Sequence, residues 1–196
     1  MFANRFTSVV DACSLAGTLR RNLLLTLAEA EFFRLRWSIR ILDETERAIE
    51  RILVNRGAAD PREHARRARV KMAKEFDEAL VSDFEALIPA CKSLPDPNDA
   101  HIVAAALKTQ ASIIVTENLR HFPRDVLDPL NLECKSADAF IADTLTLDIG
   151  RGVASLRTMR ERLKKPSIGA DDLLLKMEAD GLSETVDVLR PHMRSL

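Results

Sequence analysis

The stretch Ser112-Ile113-Ile114-Val115-Thr116, which ends on Glu117-Asn118, decides the fold. It is short, β-branched and apolar, the clearest strand in the chain. Immediately upstream, Leu94-Pro95-Asp96-Pro97-Asn98-Asp99 reads as a turn and a helix start, and Ile102, Val103, Ala106 and Leu107 recur at helical spacing after it. Asp99 precedes Ile102 by three and Val103 by four, so it heads the same buried stripe. A carboxylate before a helix that feeds a buried strand, and a second polar pair where that strand ends, is an arrangement that can carry chemistry.

Outward from this unit the pattern repeats. Phe6 to Val10 is a β-branched strand that ends on Asp11. A helix is expected from Leu19 to about Leu35, a brief strand at Arg36 to Ser38, and a second helix from Ile39 to Asn55 before the break between Gly57 and Pro61. Pro61 in a first turn, with Asp60 as N-cap, opens a third helix to about Leu80. Phe84 to Ile88 reads as a strand, and Leu132 to Lys135 as a last one after a turn around Pro123. Strands alternating with helices over residues 1–135 predict an α/β domain with a central parallel sheet and helices on both faces. From Ser136 onward four helices are expected, at Ser136 to Leu147, Val153 to Lys165, Ala170 to Ala179 and Ser183 to Arg190, so residues 136–196 read as a helical C-terminal extension.

Composition narrows the classes. With 29 Lys plus Arg against 30 Asp plus Glu the net charge is −1, so bulk charge offers no reason to expect nucleic-acid or membrane binding. Hydrophobic residues at 46% make a globular chain rather than a disordered one. No apolar run nears the roughly 20 residues of a membrane span, and the N-terminus lacks a signal-peptide layout; a cytoplasmic location without membrane contact is expected. Cys13, Cys91 and Cys134 have neither disulfide nor zinc-knuckle spacing and read as reduced core thiols. Neither a Walker phosphate loop nor a Gly-x-Ser-x-Gly elbow is present.

Open parallel sheets bind ligands beyond the carboxyl ends of their strands. Asp11, Asp99 and the pair Glu117-Asn118 fall there. Converging carboxylates repel one another unless a cation neutralises them, and oxygen donors suit Mg²⁺ or Mn²⁺. Simpler roles compete with this reading. Asp99 serves equally as an N-cap, a task Asn98 or Asp96 can also fill, and Asn118 can be a plain turn residue. On the second helix periodicity favours Glu46, between Leu42 and Ile49, over Glu44 at the border of the stripe.

Four stretches together resemble the PIN-domain ribonucleases, and among them the VapC-type toxins of toxin-antitoxin pairs. They are Val9-Val10-Asp11-Ala12, Trp37 to Glu44, Leu94 to Asp99 leading into His101 to Ala106, and Ile114 to Leu119 followed by Phe122-Pro123. The resemblance covers residues 5 to about 135 and implies a three-layer α/β/α fold. It implies Asp11 and Asp99 as catalytic acids and metal ligands, Glu44 as the second acid, and Asn118 at a fourth position where many members carry Asp. Asp96 would add a metal-binding carboxylate, and Thr116, Arg62 and Arg66 would contact substrate. The implied activity is Mg²⁺- or Mn²⁺-dependent hydrolysis of RNA. The implied partners are RNA, an antitoxin protein and a second copy of the chain as a homodimer. Cations for RNA would come from Arg62, Arg66, Arg67, Arg69, Lys71 and Lys74 on one helix, or Arg157, Arg160, Arg162, Lys164 and Lys165 on another; solvated helix surfaces explain both runs equally well. Two other readings compete. Asn118 is compatible with a catalytically degenerate PIN-like binding module. A phosphoacceptor signalling domain has Lys135 after its last strand but lacks the acidic pair expected near the N-terminus.

Overall fold

The computed structural model describes residues 6–91, 93–163 and 167–196. Lys164 and Lys165 of the second basic run, and Pro166, lie outside the described residues. The chain forms β1 (Thr7–Val10), α1 (Ala12–Ala16), α2 (Thr18–Glu29), β2 (Arg34–Ser38), α3 (Ile39–Asn55), α4 (Pro61–Glu75) and β3 (Leu80–Val81). It continues with α5 (Ala100–Lys108), β4 (Ile113–Val115), α6 (Arg124–Leu127) and β5 (Glu133–Lys135). Four helices complete it, α7 (Ala137–Leu147), α8 (Ile149–Arg162), α9 (Ala170–Ala179) and α10 (Ser183–Leu189).

All strand pairs are parallel, in the order β3-β2-β1-β4-β5. The connection from β1 runs outward to β2 on one side, and β4 takes up the other side, so the order reverses between β1 and β4. Val10 pairs with Val115 there, which sets the residues that follow, Asp11 and Thr116, side by side at the crevice where open α/β sheets bind ligands. Helix α5 covers this part of the sheet. Every residue from Ala100 to Ala106 is buried, and the four alanines among them let the helix approach the strands closely.

Several elements differ from the sequence reading. The first long helix ends at Glu29, not near Leu35, because Glu31 takes a left-handed backbone (φ 57°), and β2 then begins at Arg34. Helix α4 ends at Glu75. Asp60 does not cap it through its side chain: the residue is itself left-handed (φ 50°) and forms no side-chain capping bond. The strand expected at Phe84 to Ile88 is a 3₁₀ segment, Glu85–Cys91, containing Pro89; a proline has no N–H for a sheet ladder. The edge strand lies earlier, at Leu80–Val81, paired to Trp37 and Ser38.

The C-terminal helices share one continuous core with the sheet, from Val9, Ile114 and Val115 to Leu156, Met177 and Leu189. Asp138 on α7 accepts from the backbone N–H groups of Glu184 and Thr185 at 2.9 and 2.8 Å and so caps α10. Glu117 ties the end of β4 to both neighbours, accepting from Ser14 Oγ at 3.0 Å and from the Ala137 N–H at 3.1 Å. The three cysteines are free. Among the described residues no helix is long and apolar enough to cross a membrane.

Candidate active site

Asp11 ends β1 and begins α1. Its own N–H donates to the Val115 carbonyl at 2.9 Å, which extends the β1–β4 ladder by one bond and fixes the backbone. The carboxylate is only 5% exposed, so every donor near it matters. Oδ1 accepts from the Ala12 N–H at 2.6 Å, and Oδ2 accepts from the Thr116 hydroxyl at 2.7 Å and the Cys13 thiol at 2.9 Å. Thr116 is fully buried beneath it and spends its proton on the acid, while its oxygen accepts from the Asn118 N–H at 3.1 Å. Its hydroxyl therefore lies behind Asp11 and orients that carboxylate. Burial, helped by the Asp11 charge, pushes the Cys13 thiol up to about 12 and keeps it protonated as a donor.

Across the crevice, Asp96 and Asp99 flank the turn that starts α5. Asp96 Oδ1 accepts from the Asn98 N–H at 2.9 Å, and the Asp99 N–H donates to the Asp96 carbonyl at 3.1 Å, so the two carboxylates are held on one tight loop. Asp99 Oδ2 lies 2.8 Å from His121 Nδ1. Partial burial and the nearby charges of Asp11 and Asp96 raise the Asp99 carboxyl above its ordinary value, against the opposing pull of His121. One donor atom each from Asp96, Asp99 and His121 falls within 4.8 Å of the others, a spacing compatible with a shared cation. Carboxylate oxygens with one imidazole nitrogen fit a divalent ion of the Mg²⁺ or Mn²⁺ type, the imidazole favouring Mn²⁺.

Glu44 approaches from α3. Oε1 takes the Arg40 Nε–H at 3.0 Å, and Oε2 lies 3.4 Å from His101 Nε2 on α5. Burial pushes this carboxyl up, but His101 and Arg40 outweigh it and hold Glu44 below its usual range as an anion. Arg40 also donates to the Asn98 carbonyl at 3.1 Å, linking α3 to the acidic turn. Glu46 instead pairs with Arg69 of α4 at 3.4 Å. The two glutamates thus part toward different helices, a distinction that the apolar stripe of α3 cannot express.

The remaining expected residues divide. Asn118 follows β4 as anticipated, but it is exposed and engages Thr116 through its backbone N–H. The side chain meeting Asp99 belongs to His121, three residues later. A histidine after a turn carries no local periodic signal, so His121, like the buried His101 and the bridging Arg40, was not legible as a site residue. Arg66 and Arg67 both bind Glu63, and Arg62 is exposed on the same helix; among the described residues none of the three is bonded to the acidic crevice. In the second run, Arg157 binds Glu161, Arg160 donates to two carbonyls and Arg162 binds Glu29.

A parallel sheet with carboxylates gathered at its β1–β4 switch point defines an α/β protein with an acidic crevice. More specifically, residues 7–120, over half of the chain, match the model of the PIN domain, and the chain belongs to that family. Residues 137–191 match the family model described as the VapC50 C-terminal domain. Over 49 residues the chain is 45% identical to a protein of Mycobacterium tuberculosis (strain ATCC 25618 / H37Rv) named "Putative ribonuclease VapC50". The aligned part is 25% of this chain and 29% of that relative, so less than a third of the relative's length is spanned. No solved structure gives a significant match.

Proposed function

We propose that this chain is a metal-dependent ribonuclease that hydrolyses RNA phosphodiester bonds, and that it is the toxin of a type II toxin-antitoxin pair. The observation that carries the reading is the grouping of Asp96, Asp99 and His121 within reach of one cation, with Asp11 at the end of β1 near enough for its charge to act on Asp99. The family membership and the relative named a ribonuclease support it. In this reading the cation is Mg²⁺ or Mn²⁺, held by Asp11, Asp99 and Asp96 with His121 added to the expected set. Bound there, such an ion activates water and offsets charge on the phosphate.

The chain's own groups do the positioning. Three donors lock Asp11 so that its oxygens do not reorient when charge develops nearby. Glu44, kept anionic by Arg40 and His101, accepts a hydrogen bond from the attacking water and aligns it. Asp99 and His121 share one hydrogen between Oδ2 and Nδ1, which fixes both side chains. Asn118 sits at the crevice mouth, and Arg62 and Arg66 serve as outlying phosphate contacts. Residues 1–135 act as the nuclease unit and 136–196 as its helical extension. The reading also takes in an antitoxin partner, a homodimer and a cytoplasmic location.

The test is cleavage of a mixed RNA pool with Mn²⁺, Mg²⁺ or EDTA, by wild type, Asp11→Asn and Asp99→Asn, beside a calorimetric Mn²⁺ titration. Wild type is expected to cut only with metal, and neither mutant to cut while both remain folded. Undiminished cutting by both mutants refutes the assignment. A wild type that neither binds Mn²⁺ nor cuts favours the degenerate binding module that the position of Asn118 allows.

A further inference from the structure

An open pocket of about 580 Å³ lies beyond the carboxyl ends of β2 and β3, beside the acidic crevice and outside the residues assigned above to hold a cation. Its apolar wall is built from Ile39, Leu80, Phe84 and Ile88. Ile39 and Leu80 are 53% and 46% exposed, unusual for large apolar side chains that sit next to a polar site. Arg40 and Arg47 supply its guanidinium groups, and Asp43, Asp83 and Glu85 bring carboxylates to the same lining, Asp43 being paired with Arg69 at 2.7 Å. Arg47 donates to the Asp43 backbone carbonyl at 3.3 Å and has no carboxylate partner among the described residues. Asp83, left-handed at φ 57°, turns the chain after β3 and carries a carboxylate to the rim.

Two residues belong to both places. Arg40 lines the pocket and binds Glu44; His101 lines the pocket, is 2% exposed, and approaches Glu44 through Nε2. The other ring nitrogen of His101, Nδ1, is buried without a hydrogen-bond partner among the described residues. The volume lies in the range of small-ligand pockets. An apolar wall for a base, a guanidinium edge for its phosphate and polar groups to read the base edge are the parts by which single-stranded RNA is recognised.

The geometry points to this pocket as the subsite for one unpaired RNA nucleotide adjoining the scissile phosphate, with the base against Ile39 and Leu80 and the phosphate between Arg40 and Arg47. This rests on the ribonuclease reading and adds a specificity element to it. Because the pocket and the acidic crevice share His101 and Arg40, a nucleotide seated here is delivered directly to Glu44. The rim carboxylate of Asp83 favours a base edge that presents a hydrogen-bond donor.

The experiment is fluorescence anisotropy of a labelled single-stranded RNA 12-mer of mixed sequence, with Ca²⁺ in place of Mn²⁺ so that binding is read without turnover. The variants are Arg47→Glu and Leu80→Glu, with Leu175→Glu on α9, a 61% exposed position away from the pocket, as a control for added charge. Both pocket variants are expected to bind the RNA at least fivefold more weakly, while Leu175→Glu and the calorimetric Mn²⁺ isotherms stay within twofold of wild type. If Leu80→Glu loses its native circular dichroism, Ile39→Glu replaces it. Three results overturn the proposal: a wild type that does not bind the 12-mer, pocket variants that bind within twofold of wild type, or a Leu175→Glu variant that loses as much as they do. A wild type that binds RNA through the pocket yet never cuts it with Mn²⁺ would instead overturn the ribonuclease reading and leave the subsite standing.

Discussion

Replacing Thr116 by Val removes one hydroxyl from the centre of the site and keeps the side chain's shape. In the wild type that hydroxyl donates to Asp11 Oδ2 at 2.7 Å, one of three donors to a carboxylate that is 5% exposed. A hydrogen bond to a charged, desolvated group is worth about 1.5–3 kcal/mol, and the added methyl returns up to about 0.8 kcal/mol of burial. The net cost is about 1–2 kcal/mol. For a chain of 196 residues the unfolding entropy is about 0.4 kcal/mol per kelvin, so the melting temperature falls by roughly 2–5 °C. The Asn118 N–H also loses its acceptor, at an exposed position where water replaces it. Differential scanning calorimetry without metal measures the first effect, and a Mn²⁺ titration measures the second: a loosened Asp11 binds the ion more weakly. Thr116→Ser retains the donor and should keep the Mn²⁺ affinity of wild type. If Thr116→Val melts with wild type and binds Mn²⁺ equally, the hydroxyl does not hold Asp11 and the reasoning fails.

Other expectations follow from the same geometry. Asp99 has a folded-state pKa above its unfolded value, so the stability it contributes is full below the ordinary carboxylate range and is lost as pH rises through the raised value. Metal-free Asp99→Asn should therefore melt above wild type at neutral pH and converge with it in acid; equal melting curves across that range would contradict the shift. Cys13, pushed up to about 12 by burial and then by Asp11, should resist iodoacetamide at about pH 8 in the folded protein and react faster in Asp11→Asn, as mass spectrometry would record. Asp138→Ala removes the acceptor of two backbone N–H groups at the start of α10 and should cost about 1–2 kcal/mol, seen as a melting temperature lower by a few degrees, with metal affinity unchanged.

How legible each part was depends on whether its cause is local. Helix α3 was read at its observed bounds, Ile39–Asn55, because the buried side chains Ile41, Leu42, Thr45 and Ile49 recur at helical spacing. Strand β4 was legible from its β-branched run. Strand β3 was not, since two residues form a strand only by pairing with Trp37 and Ser38 of β2. The start of β2 was hidden for another reason: a Leu- and Ala-rich pattern runs on past Glu29, and only the left-handed Glu31 interrupts it.

The site divides along the same line. Local pattern placed Asp11 at the end of an apolar strand and Asp99 at the head of a buried helix, and with four short stretches in order it pointed to the PIN family. Which atoms meet was decided by tertiary structure. Thr116 reaches Asp11 across 105 positions, and His121 reaches Asp99 across 22. Glu44 was separated from Glu46 by what each helix face meets, His101 on one side and Arg69 on the other. Strand propensity, helical spacing and turn chemistry act over a few neighbouring residues and are written in order along the chain. Hydrogen bonds between groups a hundred residues apart exist only once β1 and β4 are in register, so they belong to the folded chain alone.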